Sequence, residues 1–167
     1  QRQMCIRDSM GTRSHELSMF VIYDQWMAYL CDSPTEYNKY PDVLDFLSKV
    51  PAVWDKTLPL QAKLSEYIVT AKQKGNDWYV GGMTNWDARS TEINLNFLKD
   101  NLSYQATIFK DAPNSYEQPK EYMVEKRTVD NKTILNMDMA KGGGFVIRLE
   151  AEEKMDKRLL KILKTCL

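Results

Sequence analysis

The sequence predicts a mainly β protein, an antiparallel β-sandwich preceded by a helical lead-in. Three observations carry that expectation. The hydrophobic period changes after Pro51 from about 3.6 residues to about 2. Beyond that point, short alternating stretches follow one another, separated by Gly, Asn and Asp. Before it, the chain has helical spacing only, with apolar residues on more than one side. A lead-in with no strands of its own reads as the cut end of something larger.

Taken in order, Gln1 to Ser9 is neither periodic nor a signal peptide. It resembles the translated read-through of a sequencing adapter, and the natural sequence is expected to start near Met10 or Gly11. Thr12 or Ser14 can cap a helix. Leu17, Phe20, Val21, Met27, Ala28 and Cys31 then fall on one helical face, so one helix is expected to run to Cys31. Tyr23, Trp26, Tyr29 and Leu30 add apolar bulk on other sides. Asp32-Ser33-Pro34 ends it, and Pro34 to Tyr40 is expected to hold a short helical turn. Pro41 starts a further helix with Val43, Leu44, Phe46 and Leu47 as its apolar face, closed by Pro51.

In the β region, Ser65–Ala71 and Trp78–Thr84 are expected to be strands joined by the turn cluster Lys74-Gly75-Asn76-Asp77. Thr91–Phe97 alternates, with Ile93, Leu95 and Phe97 on one side. Tyr104–Lys110 alternates again. Glu121–Val129 and Lys132–Met139 are expected to form a hairpin about Asp130-Asn131. Phe145–Leu149 is the last strand, and Gly142-Gly143-Gly144 reads as a turn or a bulge leading into an edge strand. Glu152 to Cys166 has Met155, Leu159, Ile162 and Leu163 at helical spacing.

Composition limits the function classes. Lys+Arg and Asp+Glu are equal at 23 each, so no net field draws the 167-residue chain toward nucleic acid or anionic lipid. No apolar run approaches the roughly 20 residues of a membrane-spanning helix. Cys5, Cys31 and Cys166 are too dispersed for a disulfide framework or a zinc site. His15 is the single histidine, so triad chemistry has no second histidine to use. Glycosidic hydrolysis needs two carboxylates at a controlled separation, and no motif singles out such a pair. Asp24, Asp32, Asp55 and Asp111 sit at element ends, where Asp caps helices and turns. Gly142-Gly143-Gly144 lacks the spacing and the following Lys-Ser/Thr of a phosphate loop. Trp26, Trp54, Trp78 and Trp86, with nine tyrosines, either fill a β-sandwich core or build a sugar-stacking platform. A free-standing carbohydrate-binding β-sandwich is therefore the alternative function.

Three stretches have a specific look. Gly11-Thr12-Arg13-Ser14-His15-Glu16-Leu17 is followed by Cys31-Asp32-Ser33-Pro34. Val50-Pro51-Ala52-Val53-Trp54-Asp55-Lys56-Thr57 comes next. Trp78-Tyr79-Val80-Gly81-Gly82-Met83-Thr84-Asn85-Trp86 is the third, with Lys141-Gly142-Gly143-Gly144-Phe145 at the end. In that order they resemble the C-terminal region of glycoside hydrolase family 97 over residues 11–150. One departure is Lys56, where the family often has Glu.

The resemblance implies a parent with an N-terminal β-sandwich, a (β/α)8 barrel and a C-terminal antiparallel β domain. It implies a calcium-dependent, exo-acting α-glucosidase or α-galactosidase of the gut-type Bacteroidetes kind, either inverting or retaining. Such a parent acts on α-linked oligosaccharides in the periplasm or outside the cell. Its catalytic and calcium-binding carboxylates lie upstream of the match, so no catalytic or metal residue is expected in this chain and no calcium bound by it. Residues 10–50 would be terminal barrel helices, residues 51–150 the C-terminal β domain serving barrel bracing or homo-oligomerisation, and residues 151–167 a tail. Barrel sites lie where helices begin. Thr12, Arg13 and His15 are therefore expected at the rim of the substrate pocket. Helices cut from a barrel are also expected to leave apolar faces uncovered and to associate through residues 17–47.

Overall fold

A computed structural model describes residues 11–24 and 33–152. The predictions for residues 1–9, for all three cysteines, for Trp26 and Asp32, and for the tail beyond Glu152 lie outside the described residues. Three helices open the chain, α1 (Arg13–Ile22), α2 (Pro34–Tyr37) and α3 (Pro41–Lys49). Eight strands follow, β1 (Lys56–Lys63), β2 (Tyr67–Lys74), β3 (Asp77–Thr84), β4 (Arg89–Asn94), β5 (Tyr104–Asp111), β6 (Tyr122–Val129), β7 (Ile134–Met139) and β8 (Gly144–Ala151).

The strands make a six-stranded antiparallel sheet in the order β1-β2-β3-β8-β5-β6 and a two-stranded sheet of β4 and β7. The two sheets enclose one core. Val69, Ala71, Trp78, Val80, Tyr104, Ala106, Ile108, Phe145 and Ile147 come from the large sheet, and Ile93, Leu135, Met137 and Met139 from the small one. The helices cover the opposite face of the large sheet. There Leu17, Val21, Val43 and Phe46 meet Tyr79, Phe109 and Val146. Each central strand thus buries both faces, odd positions against helices and even positions against the small sheet in β3.

Two adjacent glycines make this packing possible. A Cβ at Gly81 would stand 3.1 Å from Ser18 O and 3.2 Å from Val21 Cβ, so α1 rests directly on the strand. A Cβ at Gly82 would lie 2.3 Å from the ring of Phe145, its partner across the β3–β8 ladder. The ring occupies the space that a side chain would take.

Several expectations need correction. The first helix ends at Ile22, and Tyr23 is already extended at φ −76, ψ 135. Asp24 does not cap it; its carboxylate takes the Nζ of buried Lys72 at 2.6 Å. The stretch toward Cys31 lies outside the described residues. β6 and β7 do not form a hairpin about Asp130-Asn131. β6 pairs with β5, while β7 crosses to the small sheet and pairs with β4. Leu135, Met137 and Met139 alternate inward into the core, and only the second layer can receive them. The glycine turn leads into β8 in the sheet interior, not into an edge strand. β1 was not anticipated, because Pro59 interrupts it. It is an edge strand with a register shift between Pro59 and Gln61, which is where Pro is tolerated. Of the apolar faces expected to be uncovered over residues 17–47, the part on residues 25–32 lies outside the described residues. Among the described residues of 17–47, Tyr23 is the single large apolar side chain that is exposed.

Candidate functional site

The most elaborated polar arrangement joins the start of α1 to one end of the large sheet. Thr12 caps α1: its Oγ1 accepts the N–H of His15 at 3.2 Å. The same hydroxyl donates to Asp111 Oδ1 at 2.6 Å, and the Thr12 N–H donates to Gly142 O. The Arg13 N–H donates to Pro119 O at 2.8 Å. The first turn of the helix is thus satisfied by the loops after β5 and β7 instead of by water.

Asp111 ends β5 and organises the other side of the junction. Its Oδ2 accepts the N–H groups of Ala140 (2.9 Å) and Gly144 (3.0 Å), folding the Lys141-Gly142-Gly143 turn around the carboxylate. Gly142 sits at φ +63, which suits glycine. At Gly143 a Cβ would come within 1.9 Å of Asp111 Oδ2. His15 closes the loop, its Nδ1 standing 3.0 Å from Gly143 O, so that nitrogen carries the proton. Burial pushes the Asp111 carboxyl above its usual value, against the bonds from Thr12, Ala140 and Gly144. Burial likewise pushes His15 down, against the bond to Gly143 and the field of Asp111.

The three residues expected at a pocket rim, Thr12, Arg13 and His15, are brought together here. Thr12 and Arg13 are buried and His15 is half-buried. The Arg13 guanidinium lies flat on Tyr40, 3.8 Å from the ring centroid, and 5.4 Å from that of Tyr122. Among the described residues its nitrogens have no hydrogen-bond acceptor. Tyr122 in turn donates to Asp42 at 2.8 Å, tying β6 to α3. The junction can hold elements in register. Among the described residues no three His, Cys, Asp or Glu side chains gather as metal ligands. No described helix is long and apolar enough to cross a membrane.

Other candidates take structural places. Asp55 receives the Gly75 N–H at 2.7 Å and Lys74 Nζ at 2.9 Å, pinning the β2–β3 turn. Trp78 packs in the core against Phe97, and Trp54 stands edge-on to Tyr79 at 5.2 Å. Trp86 is exposed. Sequence reasoning placed Asp111 at an element end but missed that it gathers residues 12, 140 and 144. The available signal was the triple glycine, since such a run marks close backbone approach.

Comparison with known proteins agrees with this architecture. A family model described as "Glycosyl-hydrolase 97 C-terminal, oligomerisation" matches residues 53–150. A retaining alpha-galactosidase of Bacteroides thetaiotaomicron is 39% identical over 142 residues, which is 85% of this chain and 21% of that protein. A probable retaining alpha-galactosidase of Streptomyces bingchenggensis is 26% identical over 139 residues, 83% of this chain and 21% of its own length. Among solved structures, a glycoside hydrolase family 97 enzyme from Pseudoalteromonas sp. strain K8, in complex with panose, superimposes with a TM-score of 0.83. It is 31% identical, over 86% of this chain and 23% of that one. The chain therefore spans between a fifth and a quarter of the length of these relatives.

Proposed function

The chain belongs to glycoside hydrolase family 97 through its C-terminal domain, and from that premise we propose that it is the non-catalytic C-terminal part of an α-glycosidase. In this reading α1 is a helix of the parent's catalytic domain. The β domain braces it and serves self-association. The carboxylates that cleave the sugar, and the calcium ion that assists them, belong to the rest of the longer protein.

The observation that carries the reading is the junction itself. Ser14, Leu17, Ser18 and Val21 of α1 are buried, and the helix start is tied into two loops of the β domain. A helix of 10 residues is marginal alone in water. This one is built as part of a larger face, which suits the end of a catalytic domain clamped by the domain after it. The alpha-galactosidase names of the relatives favour an α-galactoside as the parent's substrate.

The test is hydrolysis of chromogenic α-galactoside and α-glucoside by the purified, folded chain with calcium present. No turnover above background is expected. Turnover lost on mutating any carboxylate in residues 11–152 would place the chemistry in this chain and overturn the reading.

A further inference from the structure

The six-stranded sheet has two edges, and they are finished differently. β1 carries Pro59 and a register shift, and its Gln61 is tied across to Glu92 O and Thr91 of β4. These devices blunt an edge. β6 has neither. All eight of its residues pair in unbroken register with β5, from Tyr122↔Asp111 to Val129↔Tyr104. Its other side meets no strand among the described residues. Met123, Val124, Lys126, Arg127 and Thr128 are exposed, with Met123 at 46% and Val124 at 40%. A straight edge of this kind presents a row of free N–H and C=O groups to another strand.

We propose that β6 pairs with β6 of a second copy of this chain, antiparallel about a two-fold axis, extending the sheet across both. The inference rests on the self-association reading above and names its contact. Backbone geometry narrows the register. The outward N–H and C=O groups recur at every second residue, so two identical strands must match residues of the same parity. One residue then sits on the axis and faces its own copy. With Lys126 on the axis, Glu125 stands opposite Arg127 of the partner subunit, twice by symmetry. Val124 meets the partner's Thr128, and Met123 meets the partner's Val129. Every residue from 123 to 129 finds a counterpart.

Charge selects this register over its neighbours. With Glu125 on the axis, two carboxylates face each other, Lys126 meets Val124, and no opposite charges pair. With Arg127 on the axis, two guanidiniums meet and the overlap shortens. Opposite charges across a ladder stabilise it and like charges oppose it. The Lys126 register has two favourable pairs against one unfavourable contact. Met123 and Val124 would also lose their exposure. A contact in which each copy uses the same patch closes at two subunits, and the joined sheet then ends on the blunted β1 edge of each copy.

A symmetric cysteine pair tests the register. In the full chain with Cys5, Cys31 and Cys166 changed to serine, Lys126→Cys places two sulfur-bearing residues across the axis. Opposed residues there have Cα atoms about 4.5–5.5 Å apart, within disulfide reach. Thr128→Cys is the control, since its two copies would stand about 13 Å apart along the strands. Sedimentation velocity gives the assembly state, and non-reducing electrophoresis gives the link. The expected result is a dimer of the parent chain, with most of Lys126→Cys covalently linked in air and Thr128→Cys unlinked. A dimer that Lys126→Cys does not link, or that both variants link equally, overturns the β6 contact while leaving self-association standing. A monomer at all concentrations overturns both.

Discussion

Replacing Gly143 with alanine is expected to lower the stability of the chain by about 3 kcal/mol, read as a fall in the urea midpoint. The new Cβ would lie 1.9 Å from Asp111 Oδ2 and 2.7 Å from both the N and the O of Ala140. None of these atoms can step aside freely. The carboxylate holds the N–H groups of Ala140 and Gly144 and the hydroxyl of Thr12. Ala140 N donates to that same carboxylate, and Ala140 O accepts the Gly143 N–H. Relief requires the turn to open, which frees buried donors and loosens the seat of His15 on Gly143 O. A loss below about 1 kcal/mol would mean that the turn repacks at little cost and that the junction is less tightly built than its distances indicate.

The second large effect belongs to Asp111. Asp111→Ala removes the acceptor of two backbone amides and one hydroxyl at once, and about 3 kcal/mol of stability is expected to go with them. Asp111→Asn keeps one oxygen for the two amides and is expected to cost about 1 kcal/mol at neutral pH. The two variants should also differ from the parent chain in pH dependence. Burial raises the folded-state pKa of Asp111 above the ordinary aspartate value of 3.8. The folded chain therefore binds that proton more tightly than the unfolded chain. The associated stability is fully present below about 3.8 and is lost as pH rises through the raised folded value. The stability advantage of the parent chain over Asp111→Asn should accordingly shrink as pH rises through that window. A constant difference across it would show that Asp111 titrates as it does in the unfolded chain.

How much of this was legible beforehand depends on whether the deciding contact is near in sequence. The β2–β3 hairpin was legible because the Gly75-Asn76 turn and the flanking alternation carry it locally, and Lys74 does pair with Asp77. β5 was legible for the same reason. The connection at Asp130 was misread because its local chemistry is ambiguous. Thr133 N–H donates to Asp130 O and the Thr133 hydroxyl to Asp130 Oδ1 whether the flanking strands pair or part. What separates them is the core between the sheets, formed with Ile93 of β4. The end of α1 left no periodic mark, since apolar residues continue past Ile22. Asp24 is drawn off instead by Lys72, 48 residues away. The interior position of β8 did have a signal. Phe145-Val146-Ile147 is a continuous apolar run, the pattern of a strand buried on both faces.

The site followed the same rule. Thr12 as a helix cap and the triple glycine as a turn are local statements, and both hold. That the cap and the turn meet on one carboxylate is not local, because Asp111 lies 99 residues from Thr12 and 33 from Gly144. The family resemblance placed the two motifs in one domain region without showing that they touch.

Native-state hydrogen exchange tests most directly whether α1 and the β domain form one folded unit. The amides of Leu17 and Val21 in α1 and of Val146 and Ile147 in β8 are the ones to compare. If the helix is an integral part of the sheet's helical face, all four exchange through the same global opening and share one free energy. If Leu17 and Val21 exchange at a much lower free energy than Val146 and Ile147, the helix opens alone. The junction through Thr12, Asp111 and Gly143 would then be a loose contact, and the bracing role assigned to the β domain would fail.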